Sequence, residues 1–197
     1  HHASRVNIND VRDLVWTGMM GIVDPPRPET KNAIAHARAA GIRVIMATGD
    51  HPKTGIAIAK QIGLTNSDLV YTANDIAQMS DENLRIAARE ANVFARMTPE
   101  AKLKLAQILQ KDGRTIAMTG DGVNDAPTLK GADIGIAMGK KGTDVAREAA
   151  DIILTDDNFA TIISAIKEGR TQFRNIRRTS FFLVTTTLAQ SVSLISF

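Results

Sequence analysis

Short apolar runs rich in β-branched residues alternate with longer amphipathic or alanine-rich segments along most of the chain. VWTGMMGIV (15–23), IRVIMAT (42–48), DLVYT (68–72), NVFA (92–95), TIAMT (115–119), DIGIAM (133–138) and DIILT (151–155) predict strands. PETKNAIAHARAAG (28–41), KTGIAIAKQIG (53–63), DENLRIAAREA (81–91), PEAKLKLAQILQKDG (99–113) and the stretch from Asp125 to Gly131 predict helices, several of them closed by a glycine. The strands are too apolar to have a wet face, and helices separate them. That combination predicts a doubly wound α/β domain, with a mostly parallel, Rossmann-like sheet covered on both sides.

In such sheets ligands sit beyond the carboxyl ends of the strands, where main-chain N–H groups and helix N-termini are left unpaired. The residues at those ends are polar. Thr48, Gly49 and Asp50 follow IRVIMA, and Thr119 to Asp125 (TGDGVND) follow TIAM. Arg96 to Pro99 follow NVFA, with Lys102 one turn into the next helix. A hydroxyl, an ammonium and helix N-termini hold phosphate oxygens, whereas carboxylates crowded beside them call for a cation such as Mg²⁺. The expectation is therefore a magnesium and phosphate corner. Gly-Asp-Gly is also an ordinary turn, and Asn and Asp are ordinary caps, so the argument rests on three such strand ends occurring together.

Composition changes this picture little. The 197 residues suit one domain with a full core, and 24 Lys+Arg against 21 Asp+Glu leave a net charge of +3, too small to mark a nucleic-acid binder. With no cysteine, disulfide frameworks and thiolate metal sites are excluded. His1 and His2 read as a tag remnant and are set apart from the fold.

Asp24-Pro25-Pro26-Arg27, Thr48-Gly49-Asp50, RMTPEAK (96–102), TGDGVNDAP (119–127) followed by ADIGIAMG, and DDNFATIISAIKEGR (156–170) occur in that order. Together they resemble the P-type cation-transporting ATPases, closest to the calcium-pump and sodium-pump branch. The resemblance implies a haloacid dehalogenase-like phosphorylation domain, in which the aspartate of a DKTG segment accepts the terminal phosphate of ATP and water later releases it. DKTG does not occur here; the nearest string is Pro52-Lys53-Thr54-Gly55. By resemblance, then, residues 3–157 are the C-terminal half of that domain, inactive alone, belonging to a Mg²⁺-dependent pump whose nucleotide-binding, actuator and membrane parts lie elsewhere. The resemblance also assigns roles. Asp121 is the Mg²⁺ ligand; Thr48, Lys102, Asp121 and Asp125 are catalytic; Gly49, Asp50, Arg96 and Asn124, with Thr48 and Lys102, contact phosphate or nucleotide. Asp24 and Arg27 mark the join to the nucleotide domain. The alternative is a Rossmann-like module that binds a nucleotide or phosphate without chemistry.

The C-terminal end changes character. NFATIISAIKEGRTQFRNIRR (158–178) has helical apolar spacing and a basic opposite face, and it leads into TSFFLVTTTLAQSVSLISF, 19 residues without charge. A basic segment followed by an uncharged one is the order of a membrane helix leaving the cytoplasm, although nine Ser, Thr or Gln residues dilute its hydropathy. The resemblance implies that 158–178 is a stalk helix and that 179–197 starts the fifth membrane helix of a multi-pass protein. Residues 3–178 would then face the cytoplasm, and a cation would be the cargo.

Overall fold

The computed structural model describes residues 15–21 and 25–195. His1, His2, Asp24, positions 22–23 of the first expected strand, and residues 196–197 lie outside the described residues. The elements run α1 (Pro28–Ala39), β1 (Met46–Ala47), α2 (Pro52–Gln61), β2 (Val70–Thr72), α3 (Ala73–Gln78), α4 (Asp81–Glu90), β3 (Val93–Ala95), α5 (Pro99–Lys111), β4 (Ala117–Gly120), α6 (Ala126–Gly131), β5 (Ile134–Met138), α7 (Asp144–Ala149), β6 (Ile152–Leu154) and α8 (Phe159–Ile195). A 3-10 turn, Val123–Asp125, precedes α6.

Strand and helix alternate as expected, and every strand pairing is parallel. The sheet is divided, however: one half has the order β1-β3-β2 and the other β4-β5-β6. In the first half, the alternation of β3 sends Val93 towards α1 and α2 and Phe94 towards α4 and α5, all buried. In the second, Ala137 packs with Leu129 of α6 and Ala146 of α7, while Ile136 packs with Ile162 of α8. Each half is thus covered by helices on both faces, the doubly wound arrangement.

The inner edges of the halves, β1 and β4, face a seam. On one side of it a cavity of about 380 Å³ is walled by Met46, Met118, Thr119, Phe159 and Ile162. On the other, a cavity of about 300 Å³ is walled by Ala47, Lys102, Leu105 and Met118. Ile42 and Ala117 line both. Among the described residues no strand pairs with both β1 and β4, and β1 is two residues long where the apolar pattern predicts seven, because its pairing with β3 spans only Met46 and Ala47.

The first expected strand is a correction. Val15 to Gly21 form no regular structure, and Trp16 and Met20 are 76% and 88% exposed. An apolar run becomes a strand only where a neighbour supplies hydrogen-bond partners. Two helices were not expected, α3 and α7. Both are one-turn devices set by a threonine cap: Thr72 accepts from Asp75 N while Asp75 reaches back to Thr72 N, and Thr143 accepts from Ala146 N.

The C-terminal helix α8 runs 37 residues without a break. Its first turns are packed; from Phe173 to Leu188 its large apolar side chains are exposed. Among the described residues no helix is long and apolar enough to cross a membrane, so the expectation that 179–197 starts a span rests on the family resemblance alone. The hydroxyls of Thr186 and Thr187 donate to Phe182 O and Leu183 O, as that of Thr185 does to Phe181 O. Back-bonding of this kind hides polarity within the helix.

Phe94 is fully buried at the centre of the first half-sheet. Phe94→Ala should destabilise the chain by about 3–5 kcal/mol, read from urea unfolding followed by circular dichroism.

Candidate functional site

The carboxyl ends of β1, β3 and β4 carry two clusters, one on each side of the seam. In the first, Asp125 is buried at the end of the 3-10 turn, and Lys102 Nζ donates to its Oδ1 at 2.6 Å. The other carboxylate oxygen accepts from Gly122 N at 3.3 Å and from Asp121 N at 3.4 Å. The side chains of Lys102 and Asp125 are 18% and 11% exposed, so the pair is shielded and each partner would be left uncompensated without the other. Lys102 reaches this position because Thr98 caps α5 by accepting from Ala101 N, with Pro99 at the first helical position. Gly120 is required beneath it: a Cβ there would stand 2.5 Å from Asp125 Cβ.

Asp121 and Asn124 are exposed beside this pair. Asp121 is fixed through its backbone, its carbonyl accepting from Thr143 N at 2.9 Å. Among the described residues no three His, Cys, Asp or Glu side chains are grouped closely enough to hold a metal ion. A Mg²⁺ ion needs few protein ligands, since it keeps several waters and is bound through one or two carboxylates plus substrate phosphate. The donor set fits such an ion, because Asp125 is already committed to Lys102 while the Asp121 carboxylate is solvent-facing.

The second cluster is a closed turn. Thr48 Oγ1 donates to Asp50 Oδ2 at 3.0 Å and accepts from Asp50 N at 3.1 Å, with Gly49 exposed between them. Arg96 N donates to Asp50 O and Met97 N to Thr48 O, both at 2.9 Å, which stitches the loops after β1 and β3 together. Arg96 takes a left-handed φ of 48° and its side chain is exposed. Thr48, Gly49, Asp50 and Arg96 therefore lie together, as do Lys102, Asp121, Asn124 and Asp125. Among the described residues no hydrogen bond or ion pair joins the two groups; Lys102 and Ala47, the residue before Thr48, line one cavity of the seam between them.

Asp157 has no role in the sequence pattern, and the structure gives it one. Its carboxylate accepts from Lys140 N and Lys141 N, each at 2.9 Å, and its carbonyl accepts from Arg27 Nη1 at 2.8 Å. Asp157 is buried with a left-handed φ of 54°. Through the 139–143 loop it supports Thr143, and thereby the Asp121 backbone, while tying Arg27 to the base of α8. The sequence signal was Gly-Lys-Lys-Gly directly after a strand, a turn whose N–H groups need an acceptor. The N–H groups of Lys140, Lys141 and Gly139, with the Arg27 charge, hold the Asp157 carboxyl below the usual carboxylate range against the cost of desolvation.

A sequence model described as a haloacid dehalogenase-like hydrolase matches residues 8–133. The chain is 43% identical over 98% of its length to Calcium-transporting ATPase 1 of Bacillus cereus, and 46% identical over 99% to Cation-transporting ATPase pma1 of Synechocystis. It spans 22% of each of those relatives. Among solved structures it is similar to a zinc-transporting PIB-type ATPase, with TM-score 0.60 and 34% identity over 77% of this chain and 20% of that one.

Two outcomes are expected. Gly120→Ala should cost about 1–3 kcal/mol in urea unfolding, because Asp125 must move off Lys102 to admit the methyl group. A carboxyl with a depressed folded-state pKa contributes stability above its unfolded pKa and loses it as pH falls through the folded value. Asp157→Asn should accordingly lower the unfolding midpoint at neutral pH and flatten its decline at acidic pH, measured by thermal unfolding across a pH series.

Proposed function

The chain belongs to the haloacid dehalogenase-like hydrolase family, and we propose that it is the C-terminal half of the phosphorylation domain of a P-type cation-transporting ATPase. The single observation that carries the reading is the seam: two parallel half-sheets whose inner edges no strand joins among the described residues, and a shielded Lys102–Asp125 pair beside it, in a sequence without DKTG. The relatives being calcium- and cation-transporting ATPases, of which this chain spans about a fifth, supports the same conclusion.

In this reading a strand from another part of the protein fills the seam and brings an aspartate to its carboxyl end. The aspartate oxygen forms a bond to the terminal phosphorus of ATP as ADP leaves; water later breaks that bond, returning the aspartate and releasing phosphate. Mg²⁺, when bound, offsets the charge of the phosphate oxygens beside the carboxylates. Asp121 holds the ion, and the Lys102–Asp125 pair fixes the Asp121 and Gly122 backbone while presenting the lysine charge to the phosphoryl group. Thr48 and Gly49 donate to phosphate oxygens; Asn124 contacts the phosphoryl group; Asp50 and Arg96 lie on the nucleotide side. Residues 158–178 act as the stalk and 179–197 begin a membrane helix, whose back-bonded hydroxyls ease burial in a bundle. The cation is cargo, and residues 3–178 face the cytoplasm.

A calorimetric Mg²⁺ titration in inorganic phosphate tests the site: Asp121→Asn should weaken binding by about tenfold or more. Equal binding by both proteins removes Asp121 from its role. The pure chain should hydrolyse no ATP in a phosphate-release assay, and turnover by it would overturn the reading.

A further inference from the structure

At the end of the seam away from the phosphate corner, arginines outnumber carboxylates along one cavity, with Asp133 behind its wall, where its carboxylate accepts from Ile116 N. A cavity of about 620 Å³ opens there between Ile42–Arg43 and Arg114–Ile116, with Arg89 and Asp112 on its wall. Asp112 is the only carboxylate among the described residues that line it, and Arg89 engages both its oxygens. Arg43 has only neutral acceptors, Asn92 Oδ1 at 2.6 Å and Ala91 O at 2.5 Å. Arg114 is exposed, and neither it nor Arg43 forms an ion pair among the described residues. Burial, and after it the Arg114 charge, push the Arg43 guanidinium below its ordinary pKa. Beyond this mouth the seam is walled mainly by apolar side chains such as Ile45, Ala117 and Met118.

Resting on the strand-filled seam proposed above, we propose that Arg43 and Arg114 select an acidic residue at the N-terminal end of the incoming apolar strand. Guanidinium groups pair with a carboxylate in fixed fork geometry, and here the strand itself supplies the missing anion.

The test uses the full 197-residue chain and fluorescein-labelled peptides with one apolar valine and isoleucine core closed by an aspartate, preceded by two Glu, two Gln or two Lys. By fluorescence anisotropy at low salt, the Glu peptide should bind about tenfold tighter than the Gln peptide, and the Lys peptide weakest. The preference should shrink in Arg114→Gln, in Arg43→Gln and at high ionic strength. Arg43 also braces Ala91 and Asn92, so the exposed Arg114 is the deciding variant, its folding checked by circular dichroism. Equal affinities for the three peptides overturn the acid selection and leave the strand-filled seam standing. Binding of none of them overturns the seam reading, and the selection with it.

Discussion

Main-chain groups along a strand edge must find partners, in water or in another strand, and the facing edges of β1 and β4 set the terms for the rest of this molecule. Each half-sheet has its own helices and its own buried clusters. What the two halves share is a seam, walled by α1 and α8 on one face and by α5 on the other. Because the strands are parallel, their carboxyl ends all open at the same rim, and the polar loops collect there.

At that rim the arrangement is governed by one shielded ion pair. Lys102 neutralises Asp125, and Asp125 in turn orients the N–H groups of Asp121 and Gly122. Breaking such a pair from one side is costlier than never having formed it, because the remaining charge stays in a partly desolvated place. The same pair leaves Asp121 as the carboxylate facing outward, four residues before the buried Asp125.

Much of this was legible in the sequence. Alternating apolar runs and capped helices point to the α/β class and the parallel sheet, since periodicity and turn chemistry are local properties. The polar residues that gather at the rim were also readable, because TGD, RMTPEAK and TGDGVNDAP each follow a strand. Three things were not. VWTGMMG has the apolar content of a strand but no neighbour among the described residues, and pairing is not written in the run itself. α3 and α7 are too short for periodicity to register and depend on a single threonine cap. Asp157 acts through the N–H groups of a loop 16 to 17 residues earlier, a separation no local pattern encodes.

The length of α8 has a mechanical consequence. Thirty-seven residues of unbroken helix extend about 55 Å, so each degree of tilt at its base moves the far end by about 1 Å. The side chains of Asp156 and Asn158 cap that base, and Asp157 links it to Arg27 and to the loop beneath Asp121. The packing of its first turns, with Arg170 donating to Ala40 O, therefore fixes where the distal tip lies.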